Sequence, residues 1–154
     1  MNIAIITCSS TRTLAEDTAG AALEARIKEQ GWNVAGHVVV KDDRKAIADA
    51  IVAASDDGSD IILTCGGSGL SMSDVTPEAT RDVCEREVPG IAEAIRASSM
   101  QHTRRAMLSR AIAMQRNKTL VINFPGSEKA AKECWDAVYD QLEHAMKMTA
   151  GEGH

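Results

Sequence analysis

The residues with the greatest capacity for chemistry lie in one run, Gly66-Gly67-Ser68-Gly69, followed at a short distance by Asp74-Val75-Thr76-Pro77-Glu78. Glycines at this spacing let the backbone adopt positive φ and approach another molecule closely. Asp74 precedes a helix start at Thr76-Pro77, and its carboxylate is a ligand for a hard cation. Backbone amides beside a carboxylate suit a phosphate and a metal ion. The same residues also fit a plain glycine-rich turn from strand to helix, and both readings stand on spacing alone.

A second acidic candidate is Lys41-Asp42-Asp43, where the apolar stretch Val34 to Val40 gives way to a helical pattern. Carboxylates at a helix start also satisfy free N–H groups and complement the macrodipole, so Asp42 and Asp43 carry a capping reading beside a ligand reading. Hydroxyls cluster at Ser9-Ser10-Thr11-Arg12-Thr13 after the first apolar run, and Arg104, Arg105, Arg110 and Arg116 form a local basic run. Those arginines suit phosphate groups on a small ligand, and equally a solvated face or a subunit contact. Cys8, Cys65, Cys84 and Cys134 make no C-x-x-C pair, and His37, His102, His144 and His154 show no H-E-x-x-H spacing. Neither a zinc site nor a disulfide framework is expected; any metal should have oxygen ligands.

The elements that must position these groups alternate. Residues 2–8 read as a buried strand, 14–30 as a helix with Ala19, Leu23 and Ile27 inward, and 34–40 as a second strand. Ala46, Ile47, Ala50, Ile51 and Ala54 mark a second helix, and 58–63 a third strand. A helix from Thr76-Pro77 to about Arg86 is expected to close at Val88-Pro89-Gly90, with a short helix over 91–101. Residues 106–114 read as a loop entering a strand, and Thr119 to Phe124 as a buried strand broken by Pro125-Gly126-Ser127. One last helix should follow, N-capped by Ser127, with Ala131, Cys134, Trp135, Val138, Leu142, Ala145 and Met146 on one face. This order predicts a three-layer α/β domain with a mainly parallel central sheet, one domain over 1–148 and a frayed tail at 149–154.

The chain has 154 residues, 44% of them hydrophobic, which suits a single core. A net charge of −5 and a pI near 5.3 argue against a nucleic-acid partner. No stretch approaches the ~18 consecutive apolar residues of a membrane span. The start Met1-Asn2-Ile3-Ala4-Ile5-Ile6 reads as a strand without a basic leader, so a cytoplasmic protein is expected.

In sheets of this kind ligands sit outside the carboxyl ends of the strands. Loops 9–13, 41–43, 64–76 and 124–127 all fall at such ends, so Asp42 and Asp74 are expected on one cleft, where two carboxylates can hold a hydrated Mg²⁺. Familiar alternatives fit less well. The glycine loop lacks the Lys-Ser/Thr of a P-loop and the third glycine of a dinucleotide fingerprint. Few aromatic residues are present to hold a flavin, and the third strand runs into Thr64-Cys65 rather than the aspartate of a response regulator.

Gly66-Gly67-Ser68-Gly69 with Asp74-Val75-Thr76-Pro77-Glu78-Ala79-Thr80 closely resembles the G-G-T-G…R-D-V-T-P-E-A signature of the MoaB/Mog family of molybdenum-cofactor biosynthesis, which includes molybdopterin adenylyltransferases and the gephyrin G domain. The resemblance extends to Ser9 through Leu14, Glu16 through Gly20, Ala106 through Arg110 and Asn123 through Ser127, nearly the whole chain. It implies the three-layer fold and transfer of AMP from Mg·ATP to the terminal phosphate of molybdopterin, with release of pyrophosphate. It further implies Asp42 and Asp74 as catalytic carboxylates holding Mg²⁺, and Gly66, Gly67, Ser68 and Gly69 as nucleotide contacts. Ser109, Arg110, Pro125, Gly126 and Ser127 would contact molybdopterin. A homotrimer or hexamer is implied as well, with residues 92–109 the expected subunit contact.

Such a reaction asks mainly for positioning and charge neutralisation, so Cys65 is not needed as a nucleophile. Three positions depart from the signature: Ser73 stands where a basic residue is common, Cys65 for a common threonine, and Ser68 for the threonine of G-G-T-G. Without positive charge at 73, one phosphate contact is lost. The alternative expectation is a non-catalytic pterin- or nucleotide-binding oligomer acting as a carrier or partner in the same pathway.

Overall fold

The structure, a computed structural model, describes residues 1–152. A six-stranded sheet runs β2-β1-β3-β6-β5-β4, built from β1 (Asn2–Cys8), β2 (Asn33–Val40), β3 (Ile61–Cys65), β4 (Arg86–Glu87), β5 (Ala113–Arg116) and β6 (Thr119–Phe124). The first four strands in that order are parallel; β5 runs antiparallel to β6, and β4 antiparallel to β5, so only β5 opposes the rest. Central strands rich in isoleucine, leucine and valine fit this arrangement, because helices cover both faces. On one face Ile3, Ile5, Leu63, Ile122 and Phe124 pack with Leu23 and Ile27 of α1 (Thr18–Glu29) and Trp135 of α5 (Glu128–Val138). On the other, Ala4, Ile6, Ile62 and Val121 meet Ile47 and Ile51 of α2 (Arg44–Asp56) and Ala79 of α3 (Thr76–Val83). Trp135, 1% exposed, stands edge-on to Trp32 and stacks on Tyr139, both at centroid distances of 5.9 Å.

Four boundaries differ from the pattern-based reading. The first helix is divided: a 3₁₀ turn over Leu14–Glu16 precedes Asp17, whose carboxylate accepts the Gly20 N–H at 2.9 Å and so starts α1 only at Thr18. The helix opened by Pro77 stops at Val83, and Arg86–Glu87 pair with Gln115 and Met114 as β4, a strand too short to leave a period in the sequence. Pro89, expected to close that helix, instead opens α4 (Pro89–Ser99), because proline at a first helical position gives up only an N–H that has no partner there. The final helix is broken as well: α5 ends at Val138, a 3₁₀ turn spans Tyr139–Gln141, and α6 (Leu142–Thr149) follows with Leu142 still buried. The chain reverses between β5 and β6 at Asn117, whose φ of 51° is a conformation that asparagine tolerates.

Of the tail expected to fray, Thr149 ends α6, and Ala150, Gly151 and Glu152 donate backbone hydrogen bonds back to Met146, Met148 and Lys147; residues 153–154 lie outside the described residues. Among the described residues no helix is long and apolar enough to cross a membrane.

Candidate active site

Parallel register places the carboxyl ends of four strands on one edge: Cys8 lies beside Val40, Thr7 beside Cys65, and Cys65 beside Phe124. The chain steps from β1 to β2 on one side and then crosses back over β1 to β3 on the other, so the switch in strand order falls between β1 and β3. The hydroxyl loop after β1 and the glycine loop after β3 flank that point, where a cleft is expected.

The glycine loop is held from both sides. Gly66 donates its N–H to the Phe124 carbonyl at 2.9 Å, and Thr76 donates its hydroxyl to the Gly66 carbonyl at 2.9 Å and its N–H to the Gly67 carbonyl at 3.1 Å. Gly66 and Gly67 have φ of 100° and 70°, and a Cβ would stand 2.7 Å from the Cys8 carbonyl oxygen at the first and 2.3 Å from Thr76 Oγ1 at the second. Both glycines are therefore required by backbone conformation and by close approach.

Asp42 and Asp43 divide the two roles between them. Asp43 accepts the Ala46 N–H at 2.8 Å and caps α2. Asp42 is freed from capping and accepts the Ser10 N–H at 3.1 Å and the Ser10 hydroxyl at 3.2 Å through Oδ2. Asp74 accepts the Ser71 N–H at 3.2 Å, likewise through Oδ2. Among the described residues Oδ1 of neither carboxylate has a hydrogen-bond partner, and no group of three or more His, Cys, Asp or Glu gathers to hold a metal. One or two carboxylates with open oxygens are the protein share of a Mg²⁺ site completed by water and substrate phosphates.

Two adjoining cavities open here. A polar one of about 480 Å³ is lined by Ser9, Ser10, Arg12, Asp42, Ser73 and Asp74. A mainly apolar one of about 580 Å³ is lined by the glycine loop together with Arg105, Leu108, Ser109, Asn123 and Pro125. Gly67, Asp74 and Gly126 border both. Gly66, Ser68, Gly69, Ser109 and Pro125 all line the apolar cavity.

Two residues expected at the ligand line neither cavity. Ser127 accepts the Ala130 N–H at 3.3 Å as the N-cap of α5 and lines neither cavity. Arg110 also lines neither. Its Nε donates to the Gly69 carbonyl and one Nη to the Asp74 carbonyl, each at 2.7 Å, while both Nη atoms reach the Glu78 carboxylate at 2.7 and 3.1 Å. Its own N–H donates to the Ser68 carbonyl at 2.8 Å. The Arg110 hydrogen bond holds the Glu78 carboxyl below its ordinary value. Arg110 is a clamp on the glycine loop, with four of its five N–H donors committed in this way and one Nη1 N–H left over.

Asn123 was not singled out from the sequence. Fully buried, it donates to the hydroxyls of Thr64 and Thr80 at 3.0 Å each and accepts the Ile112 N–H at 3.2 Å, fixing the floor of the apolar cavity. The available signal was a carboxamide inside the otherwise apolar strand Thr119–Phe124. Cys65 is fully buried and its thiol is pushed well above its ordinary value by burial; burial also pushes Cys8 up to about 12. Neither supplies a thiolate nucleophile at neutral pH.

A doubly covered α/β sheet with two carboxylates and a glycine loop at its switch point places this chain in the class of α/β domains whose ligand cleft lies at the carboxyl ends of the strands. Residues 4–144 match the family model described as a probable molybdopterin binding domain, and the chain belongs to that family, the MoaB/Mog family of its motifs. It is 32% identical over 156 residues to the molybdopterin adenylyltransferase of Helicobacter pylori (strain J99), covering 98% of this chain and 89% of that protein. It is 39% identical over 139 residues to molybdenum cofactor biosynthesis protein B of Escherichia coli (strain K12), covering 88% and 81%. Among solved structures, the molybdopterin biosynthesis enzyme MoaB of Thermus thermophilus superposes with a TM-score of 0.88 at 38% identity, covering 98% of this chain and 97% of that one.

Proposed function

We propose that this protein transfers AMP from ATP to the terminal phosphate of molybdopterin in molybdenum-cofactor biosynthesis. The observation that carries this reading is the pair Asp42 and Asp74 on one polar cavity that opens, across Gly67, Asp74 and Gly126, into an apolar one. In the reaction a phosphate oxygen of molybdopterin attacks the α-phosphorus of ATP, the bond from that phosphorus to the bridging oxygen breaks, and pyrophosphate leaves with the electron pair. No covalent enzyme intermediate is required, which agrees with the two buried, protonated thiols at the site. Gly66, Gly67, Ser68 and Gly69 lie along the nucleotide, while Ser109, Pro125 and Gly126 border the pterin. Asp42 and Asp74 would hold Mg²⁺, which would supply charge neutralisation for the phosphates.

The direct test is incubation with Mg·ATP and molybdopterin, following adenylated product and pyrophosphate. Turnover by the wild type and a loss of at least ~100-fold in Asp74→Asn are expected, the size of effect of removing one preorganised electrostatic partner. Absence of product above the Asp74→Asn control overturns the enzymatic reading. Ligand binding without turnover would instead favour a pterin or nucleotide carrier, a reading supported by Ser73, which puts a hydroxyl rather than a cation on the polar cavity.

The active assembly is proposed to be a homotrimer or a pair of trimers. Met100, Met107 and Leu108 from the expected contact region, with Leu70 and Met72 from the glycine loop, are large apolar side chains left exposed on one protomer, Met72 at 95%. Light scattering should give at least three times the protomer mass; a monomer contradicts this. Four free cysteines suit a reducing compartment, the cytoplasm.

A further inference from the structure

With Arg110 committed to the glycine loop and Ser73 neutral, the proposed reaction lacks an obvious cation for the leaving pyrophosphate. We propose that Arg12 is that cation, and that the polar cavity is the polyphosphate subsite of the nucleotide. The inference rests on the adenylyl-transfer reading above and assigns a residue and a place within it.

The charge inventory of the cavity points there first. Its lining carries two carboxylates, Asp42 and Asp74, and among the described residues Arg12 is the one cation in it. A nucleotide triphosphate with a single Mg²⁺ leaves net negative charge beside those carboxylates, so a positive partner is needed for the tail to be accepted. Arginine suits this position because its planar fork meets phosphate oxygens through two parallel donors.

Geometry fixes the place. Arg12 Nη1 donates to the Gly126 carbonyl at 2.8 Å, which pins the guanidinium at the border of the two cavities, since Gly126 lines both. Among the described residues Arg12 forms no ion pair, and its Nε and Nη2 donate to none of them, in contrast to Arg110. The loop that carries it is preformed: Ser9 Oγ accepts the N–H groups of Thr11 at 3.3 Å and Arg12 at 3.1 Å. Ser10 on the same loop is bonded to Asp42. One short segment therefore places a metal-binding carboxylate and a phosphate-binding guanidinium relative to each other.

The full-length protein and its Arg12→Ala, Arg12→Gln and Arg12→Lys variants test this by calorimetric titration with Mg·ATP, AMP and magnesium pyrophosphate, together with steady-state kinetics. Arg12→Ala should weaken ATP and pyrophosphate binding by about 10- to 100-fold, the range of a charge-assisted hydrogen bond, and AMP by less than about threefold. Arg12→Gln, which keeps a donor for the Gly126 carbonyl without the charge, should resemble Arg12→Ala, and Arg12→Lys should recover part of the loss. The KM for molybdopterin should stay near the wild-type value. An equal loss for AMP, ATP and pyrophosphate would make Arg12 a structural tie for the 125–126 loop and overturn the proposal, as would unchanged pyrophosphate binding. A wild type that binds pyrophosphate in an Arg12-dependent way yet makes no adenylated product overturns only the adenylyl-transfer reading. A wild type that binds neither ATP nor pyrophosphate overturns both.

Discussion

Arg110→Ala is expected to lower unfolding stability by about 3 kcal/mol and to reduce turnover by at least ~100-fold, through collapse of the glycine loop rather than loss of a ligand contact. The guanidinium bridges the Gly69 and Asp74 carbonyls and grips Glu78 at the start of α3, with its side chain 36% exposed. A half-exposed ion pair alone would contribute little. The larger effect comes from the two carbonyls, which lose a charged donor at the same time as the segment between them loses its brace. Gly67 and Asp74 border both cavities, so a shift in this segment disturbs the nucleotide and pterin sides together. Denaturant unfolding and the adenylation assay, run on the same preparation, check both parts. Glu78→Gln should cost less stability than Arg110→Ala, because Arg110 keeps its backbone acceptors. If Arg110→Ala unfolds like the wild type and loses only affinity for molybdopterin, the guanidinium contacts the pterin and the clamp assignment is wrong.

The contrast between Arg110 and Arg12 marks how far the sequence could carry the site. Periodicity and turn chemistry identify which loops share the carboxyl edge, because parallel strands separated by helices must deliver every such loop to the same side. The placement of Asp42, Asp74, Gly66 through Gly69, Pro125 and Gly126 at one edge is legible on that basis, and motif resemblance adds Ser109 to the lining. Spacing does not encode where an arginine's fork points. Arg110, adjacent to Ser109 in the chain, turns back into the glycine loop, whereas Arg12 turns outward across Gly126. Ser127 shows the same limit, since its hydroxyl serves the first turn of α5 although its neighbours Pro125 and Gly126 line the cavity.

The sheet was readable where hydrophobic runs were long, as in β1 and β6, and hidden where pairing involves two residues, as at β4. The continuous apolar stripe from Ala131 to Met146 masks the break at Tyr139–Gln141, because α5 and α6 bury neighbouring parts of one core. Pro89 shows a related limit: proline punctuates both the end of one element and the first turn of the next, and its sequence neighbours do not separate the two.

Asp17→Ala is expected to cost about 3 kcal/mol, more than a helix cap alone, because the substitution strands three partners in a buried place. Asp17 is 2% exposed; its carboxylate accepts from the Thr7 hydroxyl, from the Gly20 N–H at 2.9 Å, and faces His37 Nε2 at 2.6 Å. His37 Nδ1 in turn lies 2.6 Å from Glu24 Oε1, so Asp17 ties β1, β2 and the start of α1 together. Gly20 is required beside it, since a Cβ there would stand 2.2 Å from Asp17 Oδ2 and 2.3 Å from the His37 ring. Burial works against the charged form, yet the hydrogen bonds from Thr7, Gly20 and His37 together hold the Asp17 carboxyl below its ordinary value of 3.8. A carboxyl depressed in the folded state adds stability that is fully present above its unfolded value and is lost as pH falls through the folded value. Wild-type stability should therefore fall below about pH 4, in step with the ordinary aspartate range. Asp17→Asn keeps the shape but cannot ionise, so its unfolding free energy should lie below the wild type at pH 7 and converge toward it on acidification. A difference between Asp17→Asn and wild type that stays constant from pH 7 to pH 3 would show that the ionised carboxylate contributes nothing here beyond its hydrogen-bonding shape.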